Sequence, residues 1–243
     1  MLKSAQTVID IQPDAVSVAG KVARWFVELA RKTQDRFTVC LSGGSTPKLL
    51  YETLADKKIV EQIPWEKIHW FFGDERYVPK HDPLSNYRMV HDAMLSKCPV
   101  PASNIHRINT DVKEPETGAA MYEKELKKYY GTDKLDPEKP LFDITFLGLG
   151  PDGHTASLFP GAPVLNERIH WVAAVVGVKP EARITLTYPV LESSRAAAFL
   201  VTGREKREIA RQVLTGSSEL PAARIRPLGT LHWFFDEAAY PRI

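Results

Sequence analysis

The sequence predicts an α/β protein whose mainly parallel sheet is covered by helices on both faces. Short apolar runs typical of buried strands alternate with segments of helical periodicity, and four of the runs end in a glycine-marked loop. Such alternation indicates crossover connections, which place helices over both faces of a parallel sheet. We therefore expect residues 1–243 to form a single domain, with these loops gathered at the carboxyl edge of the sheet.

The individual elements follow from residue type and spacing. The predicted strands are Phe37–Leu41, Ile68–Phe72, Phe142–Leu147, Ala197–Val201 and Leu231–Phe235. The predicted helices are Ala15–Lys32, a helix beginning at Pro47, Asn86–Ser96, Thr117–Tyr130 and a helix that follows Gly203 and ends at Leu214. Proline is favoured at the first helical position, and Thr46 is expected to cap the helix that Pro47 begins.

The composition limits the possible partners and compartment. The 32 Lys and Arg residues nearly balance the 30 Asp and Glu residues, so the charge predicts no nucleic-acid surface and any anion site must be local. The apolar runs are too short to cross a membrane, and the first residues do not resemble a signal peptide. Cys40 is expected in the core and Cys98 in a loop, which favours a cytoplasmic protein without a disulfide.

The first glycine-rich turn, Ser42-Gly43-Gly44-Ser45, joins a predicted strand to a predicted helix. Two glycines allow the backbone to approach an anion closely, and a helix N-terminus offers free N–H groups. The alternative interpretation is a tight turn before a capped helix. The turn lacks the Gly-Lys-Ser/Thr ending of a Walker motif.

Two basic residues are candidates for the same anion. Lys206 follows another strand and Gly203, and Arg183 begins the run Arg183-Ile184-Thr185-Leu186-Thr187. Taken alone, each is more typical of a solvated side chain than of a ligand-binding one.

The segment around His154 is the strongest candidate for catalysis. It follows a buried strand, and we expect His154 at or just before a helix start, where the helix dipole would keep its imidazole neutral. Asp152 could orient the imidazole ring or a water molecule. Residues 148–153 also match G-x-G-x-x-G, but Pro151 and Asp152 stand where a pyrophosphate would approach, so we exclude a dinucleotide site.

Three charged residues, Asp74, Glu75 and Arg76, follow the second predicted strand. Such a run usually forms a solvated turn, but at a strand end beside an anion site Arg76 could stabilise a developing oxyanion. The seven histidines show no H-E-x-x-H pattern and no cysteine pair accompanies them, so we expect no zinc site.

Together these segments resemble the 6-phosphogluconolactonase family, within the wider glucosamine-6-phosphate isomerase/deaminase superfamily. The resemblance rests on residues 42–47, 73–76, 150–161 and 183–187, in the same order along the chain. The segment 150–161 is the most specific, whereas 42–47 is shared by the whole superfamily.

The resemblance implies a Rossmann-like α/β fold and hydrolysis of 6-phosphoglucono-δ-lactone in the pentose phosphate pathway, without a cofactor or metal. His154 would be the general base that activates water. The other residues carried over by position are Asp152, Asp74 and Arg76 near the chemistry, and Ser42, Gly43, Gly44, Ser45, Arg183 and Lys206 at the substrate phosphate.

Two alternatives remain open at this point. An aminosugar-phosphate deaminase would carry an acidic residue shortly after the histidine, but Thr155 to Phe159 contain none. A non-catalytic sugar-phosphate sensor would need an attached DNA-binding module, which residues 1–13 are too short to supply. The sequence does not indicate the oligomeric state.

Overall fold

The computed structural model describes residues 6–216 and 219–243. The strands in these ranges are β1 (Thr7–Gln12), β2 (Phe37–Leu41), β3 (Ile68–Phe72), β4 (Asp74–Arg76), β5 (Ile105–His106), β6 (Phe142–Gly148), β7 (Val172–Val175), β8 (Arg183–Leu186), β9 (Ser194–Val201) and β10 (Thr230–Asp236). The α-helices are α1 (Ala15–Lys32), α2 (Ser45–Leu54), α3 (Lys57–Val60), α4 (Asn86–Val90), α5 (Pro115–Tyr130), α6 (Tyr188–Glu192) and α7 (Arg207–Leu214). Helix α4 continues as a π-helical segment (His91–Leu95), and 3₁₀ turns occur at Trp65–Lys67, Ala102–Asn104, Pro163–Asn166, Arg204–Lys206 and Pro221–Arg224.

Seven parallel strands form the main sheet in the order β1-β10-β9-β6-β2-β3-β5, which confirms the predicted fold class. Strands β3 and β5, which follow β2 in the chain, lie on one side of it in the sheet. The later strands β6, β9 and β10 lie on the other side. The topological switch point therefore lies between β2 and β6. In open α/β sheets, ligands bind outside the carboxyl ends of the strands at such a point.

Helices cover the two faces of this sheet because alternate side chains of each strand point in opposite directions. Trp70 of β3 stacks on Phe26 of α1, with ring centroids 5.7 Å apart. The next residue, Phe71, meets Tyr129 of α5 at 5.0 Å on the other face. Phe26, Trp70 and Phe71 are fully buried and Tyr129 is partly buried, so the sheet forms the centre of the core.

A second, antiparallel sheet of β4, β8 and β7 lies beside the carboxyl edge of the main sheet. It was not predicted from the sequence, because β4 consists of the charged residues Asp74 to Arg76 and β7 is a short alanine-containing run. Edge strand β1 was missed as well. Its alternate residues Ile9 and Ile11 remain exposed, so the apolar pattern of a buried strand is weak there.

Several predicted helix boundaries were wrong. Helix α2 begins at Ser45, two residues before Pro47, and Gly44 stands at the N-cap without a side-chain hydrogen bond. Thr46 does not cap the helix, since its hydroxyl shares a hydrogen bond of 2.7 Å with the hydroxyl of Thr202. Helix α5 starts at Pro115 rather than Thr117, because proline fits the first turn.

In the described ranges, no helix is long and apolar enough to cross a membrane. No group of three or more His, Cys, Asp or Glu side chains in those ranges could hold a metal ion. Cys40 and Cys98 are both free thiols, and Cys40 is buried in the core as predicted.

A pair of histidines at the β3–β5 edge makes folding stability depend on pH. The His69 and His106 rings are hydrogen-bonded, with Nδ1 and Nε2 3.0 Å apart. Burial, together with the neighbouring charges of His106 and Arg36, lowers the pKa of His69 to about 4. In the unfolded chain a histidine titrates near ~6.5, so between these values the unfolded state binds a proton that the folded state does not.

We therefore predict that the free energy of unfolding falls as the pH drops from ~6.5 to about 4. His69→Gln should flatten this fall, as measured by urea unfolding at a series of pH values. His170→Gln is the matched control, because the His170 side chain is 66% exposed. An unchanged pH slope for His69→Gln would contradict the prediction.

Candidate active site

A cleft of about 320 Å³ opens at the carboxyl edge of the main sheet, above the switch point between β2 and β6. The loops that follow β2, β3, β6 and β9 all contribute to it. Its walls include Ser42, Gly43, Gly44, Ser45, Asp74, Arg76, His154, Arg183 and Lys206. The structure thus brings together every candidate residue from the sequence except Asp152, which contacts His154 from outside the wall, and Glu75, whose side chain is buried. Their roles stay predictions.

The turn after β2 is fixed by a buried tyrosine. The hydroxyl of Tyr51 accepts a hydrogen bond from the backbone N–H of Ser42 (2.9 Å) and donates one to its carbonyl (2.8 Å). Gly44 has φ +106°, a conformation that glycine adopts without strain. Because the first N–H groups of a helix have no partner within it, the start of α2 presents free donors to the cleft.

Gly43 is required by the close approach of Asn86, the first residue of α4. A Cβ added at Gly43 would overlap the side-chain amide of Asn86. The same amide donates to the backbone carbonyl of Asp74 at 2.9 Å and to its carboxylate at 3.2 Å. Asn86 therefore joins the loop after β2 to the loop after β3.

Glu75 was expected to line the cleft with Asp74 and Arg76, and this was wrong. The Glu75 side chain points inward and is 2% exposed. Its carboxylate accepts hydrogen bonds from the backbone N–H groups of Asn86 and Tyr87, both at 2.7 Å. Burial raises the pKa of Glu75, although these hydrogen bonds oppose the effect. Glu75 anchors the start of α4, and alternation along β4 leaves Asp74 and Arg76 facing the cleft.

Asp74 is a buried carboxylate in the cleft wall. Besides Asn86, it accepts a hydrogen bond of 2.6 Å from the hydroxyl of Ser157, in the loop after β6. These bonds fix both the position and the orientation of its carboxylate. The carboxylate therefore presents a fixed acceptor to any ligand in the cleft.

His154 lies in the loop after β6, but no helix begins there, contrary to the prediction. The next helical turn starts only at Pro163. The imidazole is oriented instead by Asp152, whose carboxylate contacts both Nδ1 and the backbone N–H of His154. Nδ1–H donates to this carboxylate, which leaves Nε2 as the proton acceptor. Gly150 allows this arrangement, because an added Cβ there would overlap the imidazole ring.

Asp152 remains ionised beside this ring. Partial burial alone would raise the pKa of Asp152, but the hydrogen bonds and charge of His154 outweigh it and lower the pKa below the ordinary value. An ionised carboxylate on Nδ1–H stabilises an imidazolium that forms when Nε2 takes up a proton. The pair therefore has the chemistry of a general base.

Two arginines lie side by side on adjacent strands of the small sheet. Arg76 of β4 and Arg183 of β8 are direct partners in the antiparallel register, and both line the cleft. Burial, and then the charge of Arg76, lower the pKa of Arg183. Its buried Nε has no hydrogen-bond partner among the described residues. Like charges on directly paired residues repel each other and destabilise the fold. A bound anion would neutralise the charges of both guanidinium groups.

Lys206 enters the cleft from the turn after β9. This 3₁₀ turn, Arg204–Lys206, begins after Gly203, whose φ is +96°. The N–H of Gly203 donates to the carboxylate of Asp236 at 3.0 Å, which fixes the start of the turn. The loop after β9 thus carries a lysine to the same cleft as the start of α2.

The sequence analysis missed several polar residues of the cleft, among them Asn86, Ser157 and Lys179. Nothing in the sequence singles out Asn86, because its role depends on contacts with two separate loops. Ser157 lies within the specific segment 150–161, and Lys179 lies in a polar turn before Arg183, so for these two a sequence signal existed.

A parallel sheet whose switch point carries a cleft with basic side chains and a His–Asp pair defines an α/β protein that binds its ligand at the carboxyl edge of the sheet. The family model for glucosamine-6-phosphate isomerases/6-phosphogluconolactonase matches residues 13–233, and the chain belongs to this family.

The relatives include several named 6-phosphogluconolactonases. A 6-phosphogluconolactonase of Nostoc sp. is 39% identical over 95% of this chain and 96% of its own length. That of Haemophilus influenzae is 37% identical over 93% of this chain and 96% of its own. The crystal structure of the Thermotoga maritima 6-phosphogluconolactonase superposes with a TM-score of 0.80 at 32% identity, covering 96% of this chain and all (100%) of that chain.

We predict that Gly43→Ala displaces Asn86 and disturbs the cleft. The added Cβ has no space beside Asn86, so folding stability should fall by about 1–3 kcal/mol, and binding of a sugar phosphate should weaken with it. Thermal unfolding and calorimetric titration measure the two effects.

Gly20→Ala is the matched control for this prediction. Gly20 lies within α1, and an added Cβ would meet only the flexible end of Arg24 at 3.4 Å. Removing a helical glycine should raise stability by about 0.5–1 kcal/mol without affecting binding. Wild-type binding by Gly43→Ala would show that Asn86 does not hold the turn.

Proposed function

We propose that this protein hydrolyses 6-phosphoglucono-δ-lactone to 6-phosphogluconate, the lactone-opening step of the pentose phosphate pathway. One observation carries the proposal: a base, His154 held by Asp152, shares a single cleft with the cations Arg183 and Lys206. The 6-phosphogluconolactonase names of its relatives support the same reaction.

The phosphate is proposed to bind at the turn after β2. Gly43, Gly44 and Ser45 bring free backbone N–H groups to one side of the cleft, and Ser42 and Ser45 add their hydroxyls. The helix dipole of α2 favours negative charge at this point. Lys206, in the turn after β9, and Arg183, the first residue of β8, supply positive charge, and Arg76 of β4 adds to it. A phosphate dianion would relieve the repulsion between the two arginines.

The chemistry is proposed to take place at His154. Water attacks the lactone carbonyl carbon, its proton goes to Nε2 of His154, and the carbonyl electron pair moves to the oxygen. When the ring C–O bond breaks, the carbonyl re-forms and His154 returns the proton to the departing ring oxygen. Asp152 holds the imidazole throughout. Asp74 offers its fixed carboxylate to a hydroxyl of the sugar.

The substrate is a small phosphorylated sugar lactone, and the cleft volume suits a ligand of this size. We also propose that the reaction takes place in the cytoplasm, because a reducing compartment keeps Cys40 and Cys98 as free thiols. A deaminase of aminosugar phosphates is disfavoured by residues 155–159, which contain no carboxylate to assist ring opening. Glucosamine 6-phosphate is therefore the negative-control substrate.

We predict that Lys206→Ala and Arg183→Ala each weaken binding of the phosphorylated lactone. Each change removes a charge-assisted hydrogen bond of about 1.5–3 kcal/mol, which corresponds to roughly a 10- to 150-fold increase in KM. Steady-state kinetics with 6-phosphogluconolactone and with unphosphorylated gluconolactone measure the effect, and the second substrate should be much less affected.

Arg204→Ala serves as the control, since Arg204 lies in the same turn as Lys206 but is exposed and outside the cleft wall. Equal losses with both substrates would assign Lys206 and Arg183 to folding or to the chemistry instead of the phosphate.

We predict that His154→Ala lowers kcat by about 10²–10⁴-fold, the usual range for loss of a general base. Binding of 6-phosphogluconate should stay nearly intact, because the phosphate contacts lie on other loops. In the wild-type enzyme the rate should fall on acidification, since a protonated imidazole cannot accept a proton. The spontaneous hydrolysis of the lactone must be subtracted in both measurements.

His170→Ala is the control for this variant, because His170 is exposed and does not line the cleft. A folded His154→Ala protein with near wild-type kcat would overturn the assignment of the base, which would then have to be sought at Asp152 or Asp74.

A further inference from the structure

We propose that Lys179 is a catalytic residue whose ammonium group stabilises the oxyanion formed on the lactone carbonyl. The inference rests on the proposed lactone hydrolysis. It assigns the oxyanion to a residue outside the loops that carry the base and the phosphate contacts.

Lys179 lies at the tip of the hairpin that joins β7 to β8. The tip turns at Gly177, whose φ is +77°, and places the lysine in the wall of the cleft. Val176 and Val178 on either side of the turn are exposed, so the apolar side chains of the tip do not hold it against the protein. Lys179 is the side chain through which the tip contacts the cleft.

The contacts of Lys179 place its charge beside the base. Its Nζ lies 3.8 Å from Oδ2 of Asp152, whose other oxygen contacts the His154 ring. Nζ also lies 5.0 Å from the ring centroid of Phe159, and the His154 ring lies 4.7 Å from that centroid. The ammonium and the imidazole therefore share two neighbours, one carboxylate and one aromatic ring.

A cation in this position suits the reaction. Water activated by His154 attacks a carbonyl carbon close to Nε2, and the negative charge develops on an oxygen bonded to that carbon. A stabilising donor must lie within hydrogen-bond reach of this oxygen. Among the charged cleft residues, Lys179 is the cation in contact with the His154–Asp152 pair.

Two other cations of the cleft have protein partners, and Lys206 is the residue proposed above to hold the phosphate. Arg76 donates through Nη1 to the carbonyl of Leu84, and Arg183 pairs with Glu181 at 3.5 Å. The 3.8 Å between Nζ of Lys179 and the carboxylate of Asp152 exceeds the length of a charge-assisted hydrogen bond. The ammonium donors of Lys179 are thus free for a substrate oxygen. Because this ion pair is half-exposed, it contributes little to folding stability.

The step balances without any further reactant. The water oxygen forms a bond to the carbonyl carbon, one water proton moves to His154, and the carbonyl π electrons become the oxyanion beside Lys179. The oxyanion then re-forms the carbonyl as the ring C–O bond breaks, and His154 protonates the ring oxygen. The product is a carboxylic acid that releases its remaining proton to water and becomes a carboxylate, so Lys179 should also contact the carboxylate of 6-phosphogluconate.

Lys179→Met tests the proposal with two measurements. The first is steady-state hydrolysis of 6-phosphogluconolactone, in which kcat should fall by about 10²-fold with little change in KM. The second is calorimetric binding of two phosphorylated ligands, 6-phosphogluconate and glucitol 6-phosphate, which differ in the carboxylate. The variant should lose affinity for 6-phosphogluconate at least tenfold more than for glucitol 6-phosphate.

Lys179→Arg keeps the charge and should recover part of kcat. Lys21→Met is the matched control, since the Lys21 side chain is 43% exposed and pairs with Asp10 on the distant edge strand; its kinetics should equal those of the wild type. Equal loss of affinity for the two ligands would place Lys179 at the phosphate and overturn the proposal, as would an unchanged kcat. A wild-type protein that fails to hydrolyse the lactone would overturn the proposed function itself.

Discussion

The buried carboxylate of Glu75 accepts four hydrogen bonds, three of them from the start of helix α4, and much of the cleft depends on where that helix begins. The donors are three backbone N–H groups and the hydroxyl of Ser85. With α4 held in place, the side-chain amide of Asn86 reaches Asp74 and lies against Gly43. A carboxylate that never faces the ligand thus sets the distance between the turn after β2 and the acid after β3.

The same strand that carries Glu75 also creates an unfavourable arrangement. Alternation along β4 turns Asp74 and Arg76 toward the cleft, and the antiparallel register then sets Arg76 against Arg183. A fold selected for stability alone would not place two guanidinium groups opposite each other in a partly buried position. A phosphorylated ligand would supply a counter-charge for both guanidinium groups, and relief of their repulsion would then add to the free energy of binding.

Apolar patterning predicted the centre of the fold but not its edges. Phe37–Leu41 and Ile68–Phe72 were predicted with their observed bounds, because both strands are buried on two faces. Strand β4 was missed, since three charged residues carry no β signal and pair only because β8 lies alongside. The candidate site residues were found through their position after strands, whereas Asn86 could not be, because its role arises from contacts between loops distant in sequence.

The helix start that was wrongly predicted at His154 bears on the electrostatics of the loop after β6. A helix start was expected to keep the imidazole neutral, but the chain forms an irregular loop there and Asp152 orients the ring through Nδ1. The two arrangements differ chemically. A helix dipole disfavours the imidazolium, whereas an ionised carboxylate on Nδ1–H stabilises it as the proton arrives. In the proposed reaction the helix N-terminus serves instead at α2, where the negative charge of the phosphate would be bound. Each of the two loops would then carry the electrostatic sign that its own half of the proposed substrate requires.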